Sequence, residues 1–92
     1  MPIPKYRASR DANEAAIVAA LRAVGCDVEP LSKQGVPDLL VYAPHLDRYF
    51  LMEIKTTSGK LTQDQVEFHG RWNGPIHIIR SVDDALMAIE RV

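Results

Sequence analysis

The chain has 92 residues, 47% of them apolar, with 11 Lys and Arg against 12 Asp and Glu and a net charge of −1. That balance fits one small packed domain. It offers no apolar run near the ~20 residues a membrane helix needs, and it argues against tight sequence-independent nucleic-acid binding, which usually goes with a basic chain. The single cysteine, Cys26, excludes an internal disulfide and a cysteine-based zinc site.

Residues 1–10 form a Pro-containing basic arm with Lys5, Arg7 and Arg10, and residues 11–92 are expected to form a single domain. Met1 to Arg7 lack the apolar stretch of a signal peptide, which together with the lone cysteine points to the cytoplasm. Asp11 is placed to cap a first helix, with Glu14 at the capping-box position. Ala15, Ala16, Ile17, Val18, Ala19, Ala20, Leu21, Ala23 and Val24 make that helix apolar nearly all round, which predicts extensive burial. Gly25 ends it. Cys26 to Leu31 reads as a strand, and Ser32 to Gly35 as a turn.

Residues 38–43 and 49–55 read as strands joined by a turn at Pro44-His45-Leu46-Asp47, and so short a join predicts an antiparallel pair. Thr62, with Gln65 at the capping-box position, starts a second helix bearing Val66, Phe68, His69 and Trp72. Pro75 to Arg80 reads as a short strand, and Ser81 caps a last helix. The strand-helix-strand unit from 49 to 80 predicts a parallel right-handed crossover. The expected fold class is α/β, a mixed β-sheet flanked by helices in the order α-β-β-β-α-β-α.

Three residues stand out against this frame. Side chains alternate along a strand, so Glu53 and Lys55 project from one face while Phe50, Met52 and Ile54 project from the other. Asp38 opens the neighbouring strand. If the two strands pair, two carboxylates and an ammonium converge, and carboxylate oxygens suit hard divalent cations of the kind phosphodiester chemistry uses. Taken singly, Asp38 is an ordinary turn residue after proline, and Glu53 with Lys55 an exposed salt-bridged strand face.

Pro37-Asp38 followed by Glu53-Ile54-Lys55 resembles the PD-(D/E)xK nuclease signature. More narrowly, Glu14, Gly35-x-Pro37-Asp38, Glu53-x-Lys55 and Gly59-Lys60-Leu61-Thr62-x-x-Gln65 resemble the VRR-NUC (virus-type replication-repair nuclease) family, over roughly residues 11–90. The resemblance implies a restriction-endonuclease-like fold. It implies a Mg²⁺- or Mn²⁺-dependent deoxyribonuclease, held as a homodimer, that cuts structured or branched DNA in the manner of junction resolvases. It assigns Asp38, Glu53 and the Ile54 backbone carbonyl to the metal, with Glu14 as an additional acid. Lys55 would orient water and stabilise developing charge, and Gln65 would position water or phosphate. A bacterial or phage-infected cell, and roles in replication or repair, belong to the same expectation.

Glu14 and Gln65 each have a competing explanation as capping-box residues. Lys33, Lys60, Arg7 and Arg10 are candidates for DNA phosphate contacts. His69 and Trp72 read as core or helix-face residues, and Cys26 as a small buried hydrophobe. The other functional classes are a non-catalytic DNA-binding or assembly subunit that keeps the fold, which would tolerate loss of the acid-lysine set, and a site-specific restriction-type nuclease, which usually needs more loops. Nothing in the sequence marks discrimination against RNA.

Overall fold

Apolar alternation sets one face of the sheet. Leu39, Val41 and Ala43 on one strand and Phe50, Met52 and Ile54 on the next are all buried, while the residues between them are mostly half-exposed or exposed. A computed structural model describes residues 12–91, so the basic arm with Arg7 and Arg10, and the expected cap Asp11, lie outside the described residues. The elements are α1 (Glu14–Ala23), β1 (Asp27–Pro30), β2 (Leu39–Ala43), β3 (Arg48–Ile54), α2 (Gln63–Arg71), β4 (His77–Ile79) and α3 (Val82–Ala88). Their order is the expected α-β-β-β-α-β-α.

The four strands form one mixed sheet in the order β1-β2-β3-β4. The β1/β2 and β2/β3 pairs are antiparallel and β3/β4 is parallel. The Pro44–Asp47 turn closes the β2/β3 hairpin. Asp47 takes the left-handed conformation there, at φ 51°, which short polar side chains tolerate, and its carboxylate accepts a hydrogen bond from the Tyr42 hydroxyl. A parallel pair needs a crossover, and α2 supplies it.

Ile17 and Leu21 of α1, Ala85 of α3 and the following Ile89 join Val28, Leu39, Val41, Phe50, Met52, Ile54 and Ile79 in one core cluster. The helices α1 and α3 therefore pack on each other and cover this face. Full burial of each Leu or Ile contributes about 1.5–3 kcal/mol.

Two expectations about α1 are corrected. Only Ile17 and Leu21 are buried, and Ala15, Ala16 and Ala19 are exposed. Alanine offers little apolar area, so one stripe suffices to dock the helix. The helix also begins later than expected: Asn13 is the N-cap and Glu14 the first helical residue, so Glu14 is not the third residue of a capping box. Asn13 makes no side-chain cap bond; its side-chain NH₂ donates to the carbonyls of Lys55 and Arg80, both at 3.1 Å, which turns the amide toward the ends of β3 and β4. Among the described residues no helix is long and apolar enough to cross a membrane.

Candidate active site

The second face of β3 carries charge. Glu53 is 0% exposed and Lys55, just past the strand, is 8% exposed. An exposed salt-bridged face would leave both in water. Burial of an ionised group instead demands partners or function.

Asp38 is brought to Glu53 by the hairpin register. Leu39 pairs with Met52, so one step beyond the ladder Asp38 stands opposite Glu53. Its Oδ2 accepts a hydrogen bond from the Ile54 backbone N–H at 2.7 Å. The loop that delivers it is fixed from several sides. The Leu31 N–H donates to the Asp38 carbonyl at 2.7 Å, and Pro37 is fully buried. Gly35 adopts φ 84°, and a Cβ there would come within 3.1 Å of the Asp64 carbonyl oxygen. Only glycine combines that conformation with so close an approach. The Gln34 amide donates to the Asp64 carboxylate, so the loop bearing Asp38 is tied to the first turn of α2.

That helix presents two side chains to Glu53. Thr62 and Gln65 form the expected capping box: Thr62 Oγ1 accepts from the Gln65 N–H, and Gln65 Oε1 accepts from the Thr62 N–H at 2.8 Å. The Gln65 Nε2 then donates to Glu53 Oε2 at 3.1 Å. Cap and site contact are therefore simultaneous. The cap takes the amide oxygen and leaves the NH₂ for the carboxylate, so the amide has one orientation that satisfies both. His69 was expected on the core or helix face. Instead its Nε2 lies 3.4 Å from Glu53 Oε1. A carboxylate accepts only, so this nitrogen carries the proton. The sequence held half of the signal: His69 lies four positions after Gln65, which puts both on one side of a helix. Burial first, and the nearby Lys55 ammonium second, hold the imidazole below its usual pKa.

The segment after Lys55 is braced at the C-terminal end of β3 and β4. Arg80, following β4, donates from one guanidinium nitrogen to the carbonyls of Thr56, Thr57 and Gly59 at 2.7, 3.3 and 2.8 Å. A Cβ on Gly59 would lie 3.0 Å from Thr56 Oγ1 and 3.6 Å from Lys55 Cδ, so the loop folds closely on the Lys55 stem. Asn13 ties the start of α1 to the same end of β3, and Glu14 Oε1 is buried there.

The donor chemistry fits a hard divalent ion, with carboxylates from Asp38 and Glu53 and the Ile54 carbonyl close by in sequence. Among the described residues no three His, Cys, Asp or Glu side chains form a metal-holding cluster, so Glu14 does not complete one with Asp38 and Glu53. Two carboxylates are what Mg²⁺ commonly takes, with water and phosphate oxygens filling the remaining positions. Lys33 and Lys60 are exposed in the loops flanking these residues. An open groove along β4 and α3, lined by His77, Ile78, Arg80, Asp84 and Met87 among others, includes none of Asp38, Glu53 and Lys55.

No family model matches the chain. No curated protein matches it either. A solved structure described as a VRR_NUC domain is similar at a TM-score of 0.67 and 23% identity, with 87% of this chain and 97% of that one covered. The chain has a VRR-NUC fold.

Proposed function

We propose that this chain is a metal-dependent endonuclease that hydrolyses DNA phosphodiester bonds with Mg²⁺ or Mn²⁺. The observation that carries the reading is the wholly buried Glu53, with Asp38 bonded to the next backbone N–H, on a fold shared with a VRR_NUC domain. Asp38, Glu53 and the Ile54 carbonyl would hold the ion. When bound, such an ion lowers the pKa of water and offsets charge on a phosphoryl oxygen. Lys55, on the same face as Glu53, orients the attacking water and stabilises the negative charge that develops on the phosphate. Gln65 holds the Glu53 carboxylate and turns its NH₂ toward the site. Glu14 adds negative charge at the edge of the site. Lys33 and Lys60, with Arg7 and Arg10 of the arm, contact phosphates.

Structured or branched DNA is the substrate we favour, with the chain acting as a homodimer, because two sites on a two-fold axis match two strands. The setting that fits is the cytoplasm of a bacterial or phage-infected cell, in replication or repair. The test is cleavage with Mg²⁺ or Mn²⁺ on duplex, flap, splayed-arm, four-way-junction, single-stranded DNA, RNA and supercoiled plasmid. Metal-dependent cutting that favours a branched substrate supports the proposal. DNA binding without cutting under any metal would instead identify a non-catalytic subunit. Light scattering should give twice the 10.3 kDa chain mass.

A further inference from the structure

Glu53 is held by α2 through both of its oxygens. Gln65 Nε2 donates to Oε2 at 3.1 Å, and His69 Nε2 donates to Oε1 from 3.4 Å. The two donors are one helical turn apart. The carboxylate itself is 0% exposed, and the His69 side chain is 18% exposed. Water therefore has little part in orienting Glu53, and α2 does it instead. The same stretch of α2 is packed through the neighbouring Phe68, which is buried and stacks on Trp72 at 5.3 Å. The Arg71 guanidinium lies over the Phe68 ring at 4.6 Å, on the same turn. This aromatic cluster anchors the end of α2 that carries the imidazole.

We propose that His69 is a positioning residue for Glu53: with Gln65 it clamps the carboxylate in the orientation that accepts a divalent ion. This rests on the metal-dependent reading above. The imidazole does not touch the phosphate. Each carboxylate oxygen has two lone pairs, so accepting the His69 N–H does not by itself bar Oε1 from an ion. Holding the carboxylate beforehand lowers the ordering cost of capturing the ion. Removing a hydrogen-bond partner of a metal ligand typically weakens affinity by about 10- to 100-fold.

The test is calorimetric Mn²⁺ titration of the wild type, His69→Ala and His69→Gln, with thermal melting of the metal-free proteins alongside. His69→Ala is expected to raise the Mn²⁺ Kd by about 10-fold or more. His69→Gln, which keeps a side-chain N–H donor, is expected to recover much of that loss. Cleavage by His69→Ala should fall at low Mn²⁺ and return toward wild type as Mn²⁺ saturates. If His69→Ala does not fold, His69→Phe replaces it, with a ring of similar size and no donor. Wild-type Mn²⁺ affinity in the donor-less variant overturns the role of His69 and leaves the nuclease reading standing. Equal loss in His69→Gln and the donor-less variant also overturns it, since that pattern marks a packing role. A wild type that binds no Mn²⁺ overturns the metal-dependent reading and this proposal with it.

Discussion

Asp38 is bonded to the backbone of Ile54: its Oδ2 accepts the Ile54 N–H at 2.7 Å. One carboxylate thus serves the fold and the site together, because it satisfies a strand N–H next to Glu53 while bringing an oxygen donor there. Asp38→Asn keeps an amide oxygen able to accept this bond but loses the charge. It should abolish metal-dependent cleavage and change stability by less than about 1 kcal/mol, the net scale of one hydrogen bond. Asp38→Ala strips the acceptor from a buried N–H and should cost about 1–3 kcal/mol. Urea denaturation with a cleavage assay separates the two variants. Near-wild-type cleavage by Asp38→Asn would remove Asp38 from the metal site.

Lys55 differs from the carboxylates in what it can do to an ion. It has no lone pair to offer while protonated, so its proposed work lies with water and developing charge. Lys55→Met retains the aliphatic length at a site only 8% exposed, so the fold should persist. Mn²⁺ affinity should hold or improve while single-turnover cleavage falls by about two to three orders of magnitude, the range seen on deleting one charge-stabilising donor. Loss of Mn²⁺ affinity with normal turnover at saturating metal would contradict this role.

Gly35 and Gly70 should respond to alanine with opposite signs. Gly35 has φ 84° and no room, since a Cβ would sit 3.1 Å from the Asp64 carbonyl oxygen and 3.2 Å from Asp64 Cβ. Gly35→Ala should destabilise by more than about 1 kcal/mol, and by shifting the loop it should also weaken Mn²⁺ binding through Asp38. A Cβ on Gly70, inside α2, meets nothing within 4 Å. Gly70→Ala should therefore stabilise by up to about 1 kcal/mol, the helix preference of alanine over glycine. Thermal melting of both variants checks the pair.

How much of this was legible depended on whether the determining contact is local. The alternation in Arg48–Ile54 separates Glu53 from Met52 and Ile54 without further information, but it does not foretell that Glu53 is as buried as they are. The Thr62 and Gln65 cap is likewise local, and it formed as expected. The start of α1 is not local. Asn13 spends its amide on Lys55 and Arg80, which are 42 and 67 residues away, and no nearby residue signals that. The burial of α1 was overestimated because a run of alanines reads as apolar while adding little area to bury. His69 was passed over for a related reason: helical spacing shows which residues share its face, but only the sheet reveals that the face meets Glu53.

Cys26 bears on the core rather than the site. It is 5% exposed. Burial pushes its thiol above the ordinary value, with Arg91 opposing that shift and Asp27 adding to it. The thiolate is the reactive form, so both access and ionisation slow its chemistry. In the native protein at pH 8, a thiol-specific reagent should label Cys26 at least about 10-fold more slowly than in the urea-unfolded chain, in keeping with the inertness of buried structural thiols. Rapid native labelling would show that this corner of the core opens readily.

Glu14 and Gln65 separate helix capping from chemistry. Gln65→Glu preserves an oxygen for the Thr62 N–H, so the cap should survive. It also replaces the donor to Glu53 with a second carboxylate at a contact now 3.1 Å long. Two like charges there disfavour joint ionisation, so the variant should melt lower than wild type at neutral pH. In acid, where one of the two is protonated, the gap should close. Glu14 stands first in α1, where a carboxylate favours the helix N-terminus by about 0.3–1 kcal/mol. Glu14→Gln should cost no more than that in stability. If its charge assists the site, cleavage should fall at low Mg²⁺ and recover at high Mg²⁺. Thermal melts against pH and cleavage rates against Mg²⁺ concentration read out both variants. A Gln65→Glu protein with wild-type melting at every pH would mean that Gln65 does not grip Glu53 in solution, and an unchanged Mg²⁺ dependence in Glu14→Gln would confine that residue to the helix.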